Sequence, residues 1–193
     1  MINTRQNEVD GYRFALRQAR ADHNRTAVQA LENIAPYPAS DGSLDIAKLG
    51  IEHTWSSYYG GLAYGRHGFQ YQADTEQLSP DYTDQDLDAI DKGSALAFQH
   101  LMKPLAALDF TSTTHFACPV LFFAGRHDYA VSHELVARWF ATLDAPYKRL
   151  VWFEDSAHMP MQEQPGRFLM HLVDDARPFA VNAGNAAPGE QVP

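Results

Sequence analysis

The 193-residue sequence contains a single cysteine, Cys118, which excludes an internal disulfide and any cysteine-rich metal site. Cationic side chains are scarce as well. Fifteen Lys and Arg stand against 24 Asp and Glu, for a formal net charge of -9, whereas a nucleic-acid footprint needs clustered basic residues. No apolar run is long enough to span a bilayer, and Met1 to Glu8 hold no signal-peptide core. Neither G-x-G-x-x-G nor Gly-Lys-Ser/Thr occurs, so no phosphate loop is expected. His133-Glu134 lacks the second histidine of H-E-x-x-H, because Ala137 occupies that place. His127, Asp128 and His133 crowd one loop but make a poor ligand set, so neither a metal nor a cofactor is expected. With 45% apolar residues, the chain reads as a soluble, cytoplasmic protein with no nucleic-acid or membrane partner.

The first 110 residues carry helical patterning. Val9, Tyr12, Ala15, Leu16 and Ala19 keep one stripe, Asp22-His23-Asn24 breaks it, and Ala27, Val28, Leu31 and Ile34 resume it. Pro36 and Pro38 end the second piece. A short helix is expected from Ser43 through Leu49. Thr83 with Asp86 opens another like a capping box, and Gly93-Ser94 is expected to split it from a further helix over 95–102. Between them lies a stretch dense in aromatics and glycine, from Trp55 to Phe69. Its composition fits rings packed into a small core, and it also fits the wall of a small-molecule pocket.

Strand patterning is concentrated in Cys118 to Gln164. Pro119 to Ala124 is a short apolar run closed by Gly125, as in a strand buried on both faces of a parallel sheet. Ser132 is a candidate helix cap, and Leu135, Val136, Trp139, Phe140 and Leu143 fall on one helix face. Arg149 to Phe153 makes a second strand. Strand, crossover helix and strand form a βαβ unit, which places the loop after each strand at one sheet edge, where open α/β sheets hold their sites. Asp128 follows the first strand and His158 the second. By pattern alone they read equally well as a capping aspartate and a surface histidine, or as an acid-base pair.

The segments G-x-H-D, here Gly125 to Asp128, and S-A-H-x-P, here Ser156 to Pro160, with a helix starting near Gln164-Pro165, resemble the acid and histidine segments of the α/β-hydrolase superfamily. The resemblance is nearest to the proline-iminopeptidase-like branch and is strongest over residues 116–176. It implies a partial α/β-hydrolase fold: a helical cap over 1–110 and the last two parallel strands and helices of the sheet over 111–180. The tail over 181–193, rich in Ala, Gly, Asn and Pro, is expected to be disordered from its composition. The resemblance implies that Asp128 is the triad acid and His158 the triad base, close enough to hydrogen-bond. It also favours the pocket reading of the aromatic stretch, with Trp55, Tyr58, Tyr59 and Tyr129 lining one concavity that opens towards His158. The substrate implied is a small ester or a peptide with a free N-terminal residue, with no cofactor.

The G-x-S-x-G nucleophile elbow of that superfamily is absent from the 193 residues. Ser56, Ser57, Ser94, Ser112, Ser132 and Ser156 lack flanking glycines on a strand-turn-helix elbow, and Cys118 precedes a strand. The expectation is therefore a truncated hydrolase portion, inactive alone, whose first strand leaves an unpaired apolar edge able to recruit a second chain. The alternative is a stand-alone small-molecule binding or protein-interaction module without catalysis.

Overall fold

In the computed structural model, which describes residues 2–68 and 70–185, a helical layer precedes a small parallel sheet flanked by helices. The chain opens with α1 (Thr4–Ala21), capped by Asn3, whose side chain accepts from Gln6 N at 2.7 Å. His23 takes a left-handed φ of 54° and turns the chain into α2 (Arg25–Asn33), which Asn24 caps in the same way. Ala15 and Ala19 face Ala27, Leu31 and Ile34, and the small side chains let the two helices approach closely. Next comes α3 (Ile46–Tyr58), capped by Asp45 and much longer than the short helix expected from Ser43. Trp55 on it and Tyr59 at its C-cap close the α1–α2 core.

Two helices follow, α4 (Gln70–Gln77) and α5 (Asp84–Ala106). The Thr83–Asp86 capping box is formed in full. Gly93-Ser94 does not split α5, contrary to expectation. One glycine inside a helix costs only about 1 kcal/mol against alanine, too little to break a segment continued by Ala95, Leu96 and Ala97. Much of α5 is exposed, including Leu96, Phe98 and Leu101.

The sheet has two strands among the described residues, β1 (Val120–Gly125) and β2 (Lys148–Phe153), parallel and in register from Val120 opposite Lys148 to Gly125 opposite Phe153. The crossover is α6 (His133–Thr142), capped by Ser132. Leu135, Val136, Trp139 and Leu143 pack with Val120 and Ile2 into the second core, supported by Phe116 and Phe122. The outer edge of β1 has no strand partner among the described residues. Leu121 to Ala124 are accordingly half-buried, not enclosed on both faces as the apolar run predicts.

The chain ends in α7 (Pro160–Glu163), α8 (Pro165–His171), a π-helical turn over Leu172–Ala176, and α9 (Arg177–Asn182). At that turn buried Asp175 accepts from the Arg149 guanidinium and lies 2.7 Å from His171 Nδ1, which ties the C-terminal helices to β2. The tail expected to be disordered from Val181 starts inside α9, since Val181 and Asn182 are helical. Its remainder beyond Asn185, like Phe69 of the aromatic stretch, lies outside the described residues. No helix among the described residues is long and apolar enough to cross a membrane.

Candidate functional site

The loops after β1 and β2 meet at the carboxyl edge of the sheet, and Gly125 lets them do so. A Cβ at this position would lie 1.9 Å from the Ala157 carbonyl oxygen and 2.6 Å from that of Ser156. His127 N donates to Ser156 O across the same gap, at 3.0 Å. Below it, Arg126 makes two hydrogen bonds to Glu154, at 3.0 and 2.8 Å, and lies over the Trp152 ring. The histidine loop is tied down from the other side, where Glu163 accepts from Ala157 N at 2.9 Å and from Tyr64 N.

Asp128 and His158 meet at this edge. His158 Nδ1 lies 3.0 Å from Asp128 Oδ2. An ionised carboxylate only accepts, so Nδ1 carries the proton and Nε2 is left as the basic nitrogen. The second oxygen, Asp128 Oδ1, accepts from Val131 N at 2.8 Å, fixing the carboxylate in orientation. The hydrogen bond to Asp128 raises the His158 pKa above its ordinary value, outweighing a burial that works the other way. No serine, threonine or cysteine side chain among the described residues is hydrogen-bonded to the His158 ring. His127 is not part of the pair and stacks on Tyr64, with centroids 4.3 Å apart.

The helical layer holds these loops through polar contacts. Gly61 O accepts from Tyr129 N and Ala130 N, and Leu62 O accepts from His158 N. A Cβ on Gly61 would meet Ser56 O at 2.9 Å and Tyr129 Cβ at 3.0 Å, so this glycine too is dictated by close approach. From α1, the Asn7 side chain donates to Ala130 O and accepts from Ser132 N, and Asp10 accepts from the Ser132 hydroxyl. The buried face of α1 therefore includes Thr4, Asn7, Glu8 and Gly11 along with Phe14, Ala15 and Ala19. It is rotated from the apolar stripe that the sequence shows.

A second charged group results, which sequence reasoning missed. Glu8 and Glu52 have side chains only 2% exposed, and His53 Nε2 lies 3.4 Å from an oxygen of each. The donor atoms of the three residues all fall within 4.8 Å of one another, a spacing that a small cation can bridge. The Tyr37 hydroxyl donates to Glu8 at 2.5 Å, and burial pushes that phenol far up, so it stays a donor. Burial, reinforced by the charge of Glu8, pushes the Glu52 carboxyl up to about 8, although His53 and Ser56 pull the other way. Burial opposes the charge on His53, but a hydrogen bond to Glu8 and the charge of Glu52 prevail and raise its pKa. Glu52 Oε1 has no hydrogen-bond partner, and a Cβ on Gly11 would come within 2.7 Å of it. The available signal was one of periodicity: Thr4, Asn7, Glu8 and Gly11 share helical spacing, but polar residues at that spacing ordinarily mark a solvated face.

One cavity of about 500 Å3 joins the two groups. His53, Ser56 and Ser57 line it from α3, His158 and Met159 from the histidine loop, and Leu62, Phe98 and Met161 from around them. The four predicted aromatic residues are not among its lining. Trp55 and Tyr59 pack on the α1–α2 core. Tyr58 makes an edge contact with each of them and stacks with His67. Tyr129 stacks on Phe14, with centroids 3.8 Å apart. The helical spacing of Trp55, Tyr58 and Tyr59 places these rings towards α1 and α2, and the cavity receives the neighbouring Ser56 and Ser57 instead. A further groove of about 420 Å3 runs along β1 and reaches Asp128 and His158 from the sheet side.

Comparison with known proteins gives one partial relationship. Over 86 residues the chain is 36% identical to the probable aminopeptidase YbaC of Bacillus subtilis (strain 168). The match covers 44% of this chain and 27% of the relative, so the chain spans well under half of that protein's length. No family model matches, and no solved structure does. The likeness supports hydrolase-like ancestry in a mixed α/β protein without pointing to a particular branch.

Proposed function

We propose that this chain is the acid-histidine and cap portion of an α/β-hydrolase that releases N-terminal residues from peptides. In this reading His158, oriented by Asp128, is the general base and then the general acid of an acyl transfer to water. The nucleophile is supplied by polypeptide outside these 193 residues. The carrying observation is the Asp128–His158 pair at the carboxyl edge of the sheet, whose histidine lines a cavity together with His53, Ser56 and Ser57 of the helical layer.

Two further observations support the reading. The relative of partial similarity is named an aminopeptidase. The open edge of β1, with a groove running along it to His158, fits a sheet that continues into further strands.

The test is to purify residues 1–193 and assay an aminoacyl arylamide, alone and after adding in trans the part of YbaC that this chain does not match. Turnover is expected only in the mixture, lost in His158→Ala. Turnover by the chain alone, abolished by His158→Ala, would place a nucleophile within these residues. The absence of turnover in both would overturn the hydrolase reading.

A further inference from the structure

One turn of the helical layer, Gly61 to Tyr64, touches both halves of the Asp128–His158 pair. Gly61 O accepts from Tyr129 N and Ala130 N of the acid loop, at 3.0 and 3.1 Å. One position on, Leu62 O accepts from His158 N at 3.0 Å. The Tyr64 ring stacks on His127, so the turn meets the acid loop a second time. A side chain completes its grip on the histidine loop. Glu163, the last residue of α7, accepts from Ala157 N on Oε2 at 2.9 Å and from Tyr64 N on Oε1. The bond to Tyr64 spans 99 positions of sequence and the bond to Ala157 only 6. Glu163 therefore joins the helical layer to its own loop. Ala157 is fully buried, so its N–H has no water to turn to if this carboxylate is removed.

Resting on the reading above, we infer that Glu163 is a positioning residue, which locks the 61–64 turn to the histidine loop and thereby holds the His158 ring on Asp128. Two N–H donors facing one side chain need an acceptor on each of two oxygens, and a carboxylate offers that. Glutamine offers one acceptor and turns an NH2 group towards the other donor. The His158 side chain is 41% exposed, so its direction is set by the backbone on which it stands. That backbone is held by Glu163 at Ala157 and by Leu62 O at His158 itself. A loop freed at Ala157 swings the next residue, and a displacement of about 1 Å is enough to spoil a catalytic hydrogen bond. The Glu163 charge also favours a protonated His158, behind the larger influences of the Asp128 hydrogen bond and of burial. Charge acts on the proton affinity of the ring, whereas position also decides which ring nitrogen keeps the proton. The tautomer separates the two roles.

The experiment is nitrogen-15 NMR of the histidine rings in the full 193-residue chain, at a pH where His158 is neutral. The parent is expected to show one tautomer, with the proton on Nδ1. Glu163→Ala should show a mixture of both tautomers, and Glu163→Gln, which keeps one of the two bonds, should fall between. Amide hydrogen exchange of the parent needs no variant to fold: Ala157 N and Tyr64 N should both be protected and exchange within about threefold of one another, as groups released by one opening. In the mixture with the complementary part of YbaC, Glu163→Gln should lower kcat about tenfold and leave KM within about twofold. An unchanged tautomer in the folded variants, or Ala157 protected while Tyr64 exchanges freely, would overturn the positioning role. A parent mixture without turnover would overturn the hydrolase reading instead, and the two NMR measurements would still decide the role of Glu163.

Discussion

The two charged groups bordering the cavity are held in opposite ways. Asp128 and His158 sit on loops over a sheet edge, and the His158 side chain is 41% exposed. Glu8 and Glu52 sit on packed helices and are 2% exposed. A group that passes protons must reach its partner and change charge within each cycle, which suits a loop residue with solvent nearby. A carboxyl buried among helices is instead driven towards its neutral form and needs polar partners, here Tyr37 and His53 beside Glu8 and a raised pKa at Glu52. The contrast teaches that the sheet edge keeps a pair able to exchange protons with solvent, whereas the helical layer holds acids whose charge burial suppresses.

The largest expected effect breaks the reactive side alone. In a reconstituted enzyme, His158→Ala should lower turnover by about 10² to 10⁴-fold. The next prediction attacks what joins the acid and histidine loops. Gly125→Ala should cost about 3 kcal/mol or more, because its Cβ meets backbone and no flexible side chain. Gly50→Ala in α3, with open space around it, should be neutral or stabilising by up to about 1 kcal/mol. Urea denaturation of the two variants measures the difference.

The buried acids have their own signature in pH. The Glu52 carboxyl is raised to about 8 from an ordinary 4.5, so the folded state holds a proton that the unfolded chain releases. The stability attached to that proton is fully present below pH 4.5 and is lost as pH rises through about 8. Glu52→Gln should therefore gain about 2 kcal/mol over the parent at pH 9 and almost nothing at pH 4. Denaturation at both pH values checks the outcome. An equal gain at pH 4 and pH 9 would assign the effect to packing.

The smallest effect concerns the His158 proton. Its pKa lies above the ordinary 6.5 because the ring hydrogen-bonds to Asp128. The stabilisation is then present below about 6.5 and fades as pH rises through the folded-state value. Asp128→Asn removes the charge and the charge-assisted hydrogen bond that raise the pKa, leaving burial opposed by the weaker influence of Glu163, so a proton NMR titration should find His158 lower than in the parent. An unchanged titration would mean that Asp128 orients the ring without stabilising its charge.

The sequence by itself determined the features set by local pattern. The break at Asp22 to Asn24, the Thr83–Asp86 box, the Ser132 cap and the two parallel strands were legible because each rests on residues a few positions apart. Asp128 and His158 were legible because βαβ geometry sends both post-strand loops to one edge. Only the tertiary structure decided which face of α1 is buried. Val9, Tyr12 and Leu16 advertise one stripe, but the acid loop offers Ala130 O, Ser132 N and the Ser132 hydroxyl, and Asn7 and Asp10 are the residues able to pair with them. That rotation carries Glu8 inward to meet Glu52 and His53 from α3, more than 40 positions away. It likewise turns Ser56 and Ser57, and not the neighbouring aromatic rings, towards the cavity. Hydropathy periodicity measures what water rejects; it carries no record of which polar groups find partners on another segment, and those partners oriented this helix.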